Sequence, residues 1–133
     1  MAEKHSPKEI LLVDDDPDYS ELTKTRLEAS GYQVSCASGG REALKLLERE
    51  YEPSLIIMDI EMPDKNGLTT LINIDVHHKV HEKDGKAKIP ILVATGLQSE
   101  KVREVIMTQR VNGYLKKPYS SEELIQTVRG LIG

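Results

Sequence analysis

Four short apolar runs in this chain end on residues that can do chemistry. Leu11-Leu12-Val13 runs into Asp14, Asp15 and Asp16, and Leu55-Ile56-Ile57-Met58 runs into Asp59. Ile91-Leu92-Val93-Ala94 is followed by Thr95, and Gly113-Tyr114-Leu115-Lys116 by Lys117-Pro118. Clustered carboxylates repel one another and relieve that repulsion by binding protons or a cation. Mg2+ takes hard oxygen ligands, commonly one or two carboxylates with phosphate oxygens and waters. An aspartate can also attack phosphorus and become an acyl phosphate. Because transferring phosphoryl oxygens carry spread negative charge, neutralising and positioning them is most of the work. The set therefore points to phosphoryl binding and transfer: Asp14 and Asp15 towards a metal, Asp59 as nucleophile, Lys117 as counter-cation and Thr95 as hydrogen-bonding hydroxyl.

For these residues to meet, the four runs must be neighbouring strands whose ends open on one crevice. Each is short, apolar and bounded by turn formers, the pattern of a strand buried on both faces. A fifth strand, over 32–36, is read from its alternation. Helical patterns separate the strands. Asp16 is a suitable N-cap, Pro17 suits the first helical position, and Gly31 can end that helix in the left-handed conformation. Leu22 and Leu27 are its expected anchors, although its periodicity is weak. Ser38 is expected to cap a second helix with Ala43, Leu44 and Leu47 on one face. The 61–67 segment, dense in turn formers, reads as a loop. A third helix follows from Gly67, with Leu68, Leu71 and Ile72 at helical spacing, and fades into a polar 77–88 connection. Ser99 opens a fourth helix with Val102, Val105 and Ile106 on one stripe. Ser120 and Glu123 form a capping box for a fifth, which buries Leu124, Val128 and Leu131. Five strand–helix units with right-handed crossovers make an α/β fold, a doubly wound five-stranded parallel sheet flanked by five helices. The expected strand order, 2-1-3-4-5, brings Asp14, Asp15 and Asp59 to the switch point between strands one and three.

Composition narrows the function further. The chain has 133 residues, 38% hydrophobic and 30% charged, which suits one domain with one core. Residues 1–8 read as a flexible polar tail and 9–133 as the domain. A net charge of -4 gives no basic footprint for direct nucleic-acid binding. No apolar run approaches the ~20 residues of a membrane helix, and the N-terminus lacks the core of a signal peptide. A single cysteine, Cys36, excludes an internal disulfide and fits the cytoplasm; it is expected to be a buried strand residue. Several candidates have plainer readings. Asp16 serves the helix cap, Thr95 before Gly96 suits a loop, and Tyr114 suits a half-buried strand position. His77 and His81, four apart, have zinc-ligand spacing, but their lysine-rich surroundings fit a solvated helix end better.

Taken together, Val13-Asp14-Asp15-Asp16-Pro17, Met58-Asp59-Ile60-Glu61-Met62-Pro63-Asp64-Lys65-Asn66-Gly67, Ala94-Thr95-Gly96 and Lys117-Pro118-Tyr119 resemble the motifs of a CheY-like receiver domain. Such domains belong to the response regulators of bacterial two-component signalling, and the resemblance runs from Ile10 to Ile132. CheY is itself the usual example of the 2-1-3-4-5 order, so that order is equally what the resemblance implies. It implies that Asp59 accepts a phosphoryl group from a sensor histidine kinase or a histidine phosphotransfer protein. Mg2+ would be the cofactor, held by Asp15 directly, by Asp14 largely through water, by Asp59, and by the backbone carbonyl of Glu61. Thr95 would be the switch hydroxyl and Tyr114 the aromatic that turns inward with it, changing the surface of the fourth helix, fifth strand and fifth helix. That surface would meet a downstream effector protein, an output domain elsewhere in a longer chain, or a second copy in a homodimer. The domain would be a signalling switch rather than an enzyme, catalysing only its own phosphorylation and dephosphorylation.

Two features stand apart from the simplest family pattern. The 77–88 connection is longer and more basic, and Glu61 places a carboxylate at a position that influences how long the acyl phosphate survives. A small Mg2+-dependent phosphatase with an aspartyl-phosphate intermediate is the main alternative. Its Asp-x-Asp-x-Thr motif is not matched by Asp14-Asp15-Asp16-Pro17-Asp18, and there is little room for a cap domain. A flavin carrier of similar topology fits worst, since three acids after the first strand would repel a phosphate.

Overall fold

The computed structural model describes residues 7–49, 51–60, 74, 89–96 and 111–133. Five strands form one sheet: β1 (Glu9–Val13), β2 (Gln33–Ala37), β3 (Leu55–Met58), β4 (Ile91–Thr95) and β5 (Gly113–Lys116). All pairings are parallel and the order is β2-β1-β3-β4-β5, as expected. The described helices are α1 (Pro17–Ala29), α2 (Gly40–Glu48) and α3 (Ser121–Ile132), the last being the fifth helix of the sequence reading. The expected third and fourth helices lie outside the described residues, except Ile74, which is helical and fully buried. The 61–67 loop with Glu61, and the 77–88 connection with His77 and His81, also lie outside them.

Burial on both sides explains the unbroken apolar runs of the central strands. Alternate residues serve opposite layers. Leu11, Val13, Ile56, Met58, Ile91 and Val93 pack with Ala43 and Leu47 of α2 and with Ile74. Ile10, Leu12, Leu55, Ile57, Leu92 and Leu115 pack on the other face, against Leu27 of α1 and Leu124 and Val128 of α3. Slipping one strand by a single residue would exchange its layers, so the register that carries the site is fixed by the core.

The helix ends follow the sequence closely, with instructive exceptions. The Asp16 carboxylate accepts from the Asp18 N–H at 3.0 Å and the Tyr19 N–H at 3.2 Å. Pro17 takes the first helical position and Gly31 exits with φ 98°. Leu27 is a core anchor, but Leu22 is not: it is 46% exposed. The inward face of α1 carries Ser20 and Thr23 beside Leu27. The Ser20 hydroxyl donates to the Asp14 carbonyl at 3.4 Å, and Thr23 Oγ1 shares a hydrogen bond of 3.0 Å with the Tyr119 hydroxyl. A helix that buries hydroxyls shows no clean leucine stripe, which is why spacing misplaced its face. α2 is capped at Gly39 instead of Ser38, because Glu42 reaches back to accept the Ser38 N–H at 2.7 Å and its hydroxyl at 2.8 Å. β2 begins and ends one residue later than its alternation suggested, and Cys36 is exposed rather than buried. As the edge strand, β2 has a neighbour on one side only, so its side chains are less covered. Ser120 accepts from the Glu123 N–H at 3.0 Å, completing the expected cap of α3. No helix among the described residues is long and apolar enough to cross a membrane.

Candidate functional site

The ladders run one residue beyond the strands, and that extra residue is the acid or lysine that the sequence singles out. The Asp14 N–H donates to the Ala37 carbonyl, the Asp59 N–H to the Val13 carbonyl and the Lys117 N–H to the Thr95 carbonyl, each at 3.0 Å. Val13 and Met58 are register partners, so Asp14 and Asp59 leave β1 and β3 side by side. This is the point where the strand order reverses, the usual crevice of an open α/β sheet.

Lys117 closes the group. Its ammonium donates to Asp14 Oδ2 and to Asp59 Oδ2, both at 2.7 Å, the length of charge-assisted bonds. Asp14 and Asp59 are each 6% exposed, so both charges are held largely out of water. The second oxygen of Asp14 accepts the Asp16 N–H at 3.0 Å, which fixes the carboxylate plane. Burial works against the Lys117 ammonium, but hydrogen bonds to Asp14 and Asp59 outweigh it and hold the group above the usual lysine range. The Lys117–Pro118 peptide bond is cis.

Asp15 stands next to this pair and faces solvent. Desolvation first, then the charge of Asp14, with a smaller push from Asp59, holds its carboxyl above the usual range. Two carboxylates thus share the Lys117 ammonium, and Asp15 feels it only weakly. Among the described residues no three His, Cys, Asp or Glu side chains form a ready-made metal cage. Mg2+ asks less than that, since it keeps several waters and takes one or two carboxylates. An exposed, disfavoured Asp15 beside two buried carboxylates is a donor set of hard oxygens that fits it.

Thr95 is fully buried at the end of β4, and Tyr114 is half-buried in β5, paired with Val93 and packed on the layer that contains Met58. Two tyrosines with no role expected from the sequence are brought to the lysine by the fold. The Lys117 ammonium lies 4.3 Å from the centroid of the Tyr19 ring. Tyr119 meets Tyr19 edge to face, with centroids 5.4 Å apart and planes at 84°. Burial pushes the Tyr119 hydroxyl up to about 12, partly offset by its bond to Thr23. The only sequence signal was the position of Tyr119 just past Lys117; Tyr19, on another element, offered none.

With this geometry in place, comparison with known proteins is direct. The sequence profile described as response regulator receiver domain matches residues 10–129. The transcriptional regulatory protein TrcR of Mycobacterium tuberculosis is 35% identical over 96% of this chain, which spans 46% of that protein. The polar-differentiation response regulator DivK of Brucella anthropi is 32% identical over 96% of this chain and 98% of its own length. The crystal structure of a CheY-like response regulator receiver domain protein from Methanospirillum hungatei superposes with a TM-score of 0.80 at 29% identity, covering 94% of this chain and 93% of that one. Strand order, the acids at the ends of β1 and β3, the lysine past β5 and these likenesses all agree, and the chain belongs to the response regulator receiver domain family.

Proposed function

We propose that residues 9–133 form a phosphoacceptor switch in which Asp59 takes a phosphoryl group from a sensor histidine kinase or a histidine phosphotransfer protein. The observation that carries this reading is the double contact of Lys117 with Asp14 and Asp59 at 2.7 Å. An oxygen of Asp59 attacks phosphorus, the bond from phosphorus to the donor breaks, and the donor leaves with the electron pair. Lys117 is already placed to follow the negative charge onto the phosphoryl oxygens, where such pre-set charge is most effective. Asp14, Asp15, Asp59 and the Glu61 carbonyl would hold Mg2+. When bound, the ion would supply neutralisation of phosphoryl oxygens, a charge role it would share with Lys117.

Thr95 and Tyr114 provide the readout. Thr95 would move its hydroxyl to a phosphoryl oxygen, and Tyr114 would turn into the space it leaves. That biases a two-state surface on the expected fourth helix, β5 and α3, where an effector, an output domain or a second copy would dock. The chain would act in the cytoplasm. Incubation with acetyl phosphate and Mg2+, followed by intact-mass analysis, tests the chemistry. One phosphoryl group on the wild type and none on Asp59→Ala is the expected result. Equal labelling of both proteins, or of neither, would overturn it.

A further inference from the structure

Lysine is a compact charge on a flexible four-carbon stem, so two hydrogen bonds alone leave its position dependent on where those carboxylates' charge resides. Once Asp59 carries a phosphoryl group, that charge moves outward and the ammonium must follow without swinging into solvent. An aromatic face attracts a cation yet competes for none of its N–H donors in the way a carboxylate does. The ring of Tyr19 lies 4.3 Å from the Lys117 ammonium. Tyr19 comes from the first turn of α1, where the Asp16 carboxylate holds its N–H at 3.2 Å. Tyr119 abuts it edge to face and is itself fixed by Thr23, which is 1% exposed. The brace therefore joins α1, through its capped first turn and its inward face, to the turn after β5.

We propose that Tyr19 is a positioning residue for Lys117, presenting a ring face that keeps the ammonium over the crevice while its hydrogen bonds exchange. Tyr119 and Thr23 hold that ring in orientation. The inference rests on the phosphoacceptor reading above and adds a residue to it. Tyr19 touches neither the phosphoryl group nor the metal in this scheme; it acts through Lys117.

The test is the initial rate of phosphoryl uptake from acetyl phosphate in Mg2+ by the full chain. Tyr19→Leu keeps the bulk and discards the π face, and is expected to label about fivefold more slowly, a size in keeping with one cation–π contact. Tyr19→Phe, which keeps the face, restores the rate to within about twofold. In a Lys117→Ala background, Tyr19→Leu has no further effect, since the partner it positions is gone. Tyr19→Met supplies a second non-aromatic side chain should Tyr19→Leu fail to fold. Wild-type rates for the non-aromatic variants, equal loss in Tyr19→Phe, or the same slowing without Lys117 would each overturn the inference. Label on the wild type with any of these results overturns this inference alone; no label on the wild type overturns the phosphoacceptor reading as well.

Discussion

Asp15 carries a cost that its surroundings do not remove. Its charge sits beside Asp14 and within the field of Asp59, and its carboxyl is held above the usual carboxylate range by desolvation and by those charges. A carboxyl whose folded pKa is raised binds its proton more tightly in the folded state than in the unfolded one. Its contribution to stability is therefore favourable at low pH and is lost as pH rises through the folded value. Asp15→Asn removes the charge, so it is expected to melt above wild type at pH 7 without Mg2+, and the gap should close as pH falls and the raised Asp15 carboxyl takes up its proton. Thermal unfolding from pH 3 to 8 measures it; a gap that widens on acidification would contradict the repulsion. Lys117 has the opposite character. Its raised value keeps it charged throughout that range, so none of the pH dependence between 3 and 8 comes from it.

Helix ends do more here than stop fraying. Asp16 receives the Asp18 and Tyr19 N–H groups and so anchors the turn that carries Tyr19, while its own N–H donates to Asp14. Ser120 plays a purely local part at α3, accepting the Glu123 N–H at 3.0 Å on an exposed surface. Ser120→Ala should therefore cost about 1 kcal/mol of stability, the usual worth of an N-cap, as read by urea denaturation. A loss well above ~2 kcal/mol would mean that the residue supports more than its helix. At this scale the sequence was legible wherever chemistry is local: Asp16, Pro17, Gly31 and the Ser120–Glu123 box are signals within a few residues of one another. It was less legible where a side chain answers to a distant one. Thr23 is buried because Tyr119 meets it, and Leu22 is exposed because α1 turns hydroxyls inward.

Across the whole molecule, two apolar layers clamp one sheet, and the site depends on both. Ile57, at the centre of β3, is 1% exposed and lies in the layer shared with α1 and α3. Ile57→Ala is expected to cost about 3 kcal/mol, the transfer energy of the lost methyls plus a cavity, a large part of a typical domain's stability. Chemical denaturation with an unchanged slope would register it; a loss under ~1 kcal/mol would show that the layer collapses around the gap. The same packing fixes register, and register decides that Asp14, Asp59 and Lys117 end up one step beyond their ladders.

The amino-acid order by itself settled the strands, their parallel arrangement and the acids, hydroxyl and lysine at their ends, because buried runs and turn residues are encoded by neighbours. The expectation that Asp14 and Asp59 share one crevice came from right-handed crossovers together with the resemblance to receiver domains, which implies the same strand order. The tertiary structure alone decided how that crevice is charged and braced: Lys117 shared between Asp14 and Asp59, Tyr19 against its ammonium, Tyr119 against Tyr19, and Cys36 left on an open edge. These contacts join residues from opposite ends of the chain, and no local pattern records them; they exist only once two faces of a sheet have been covered and the helices set down upon it.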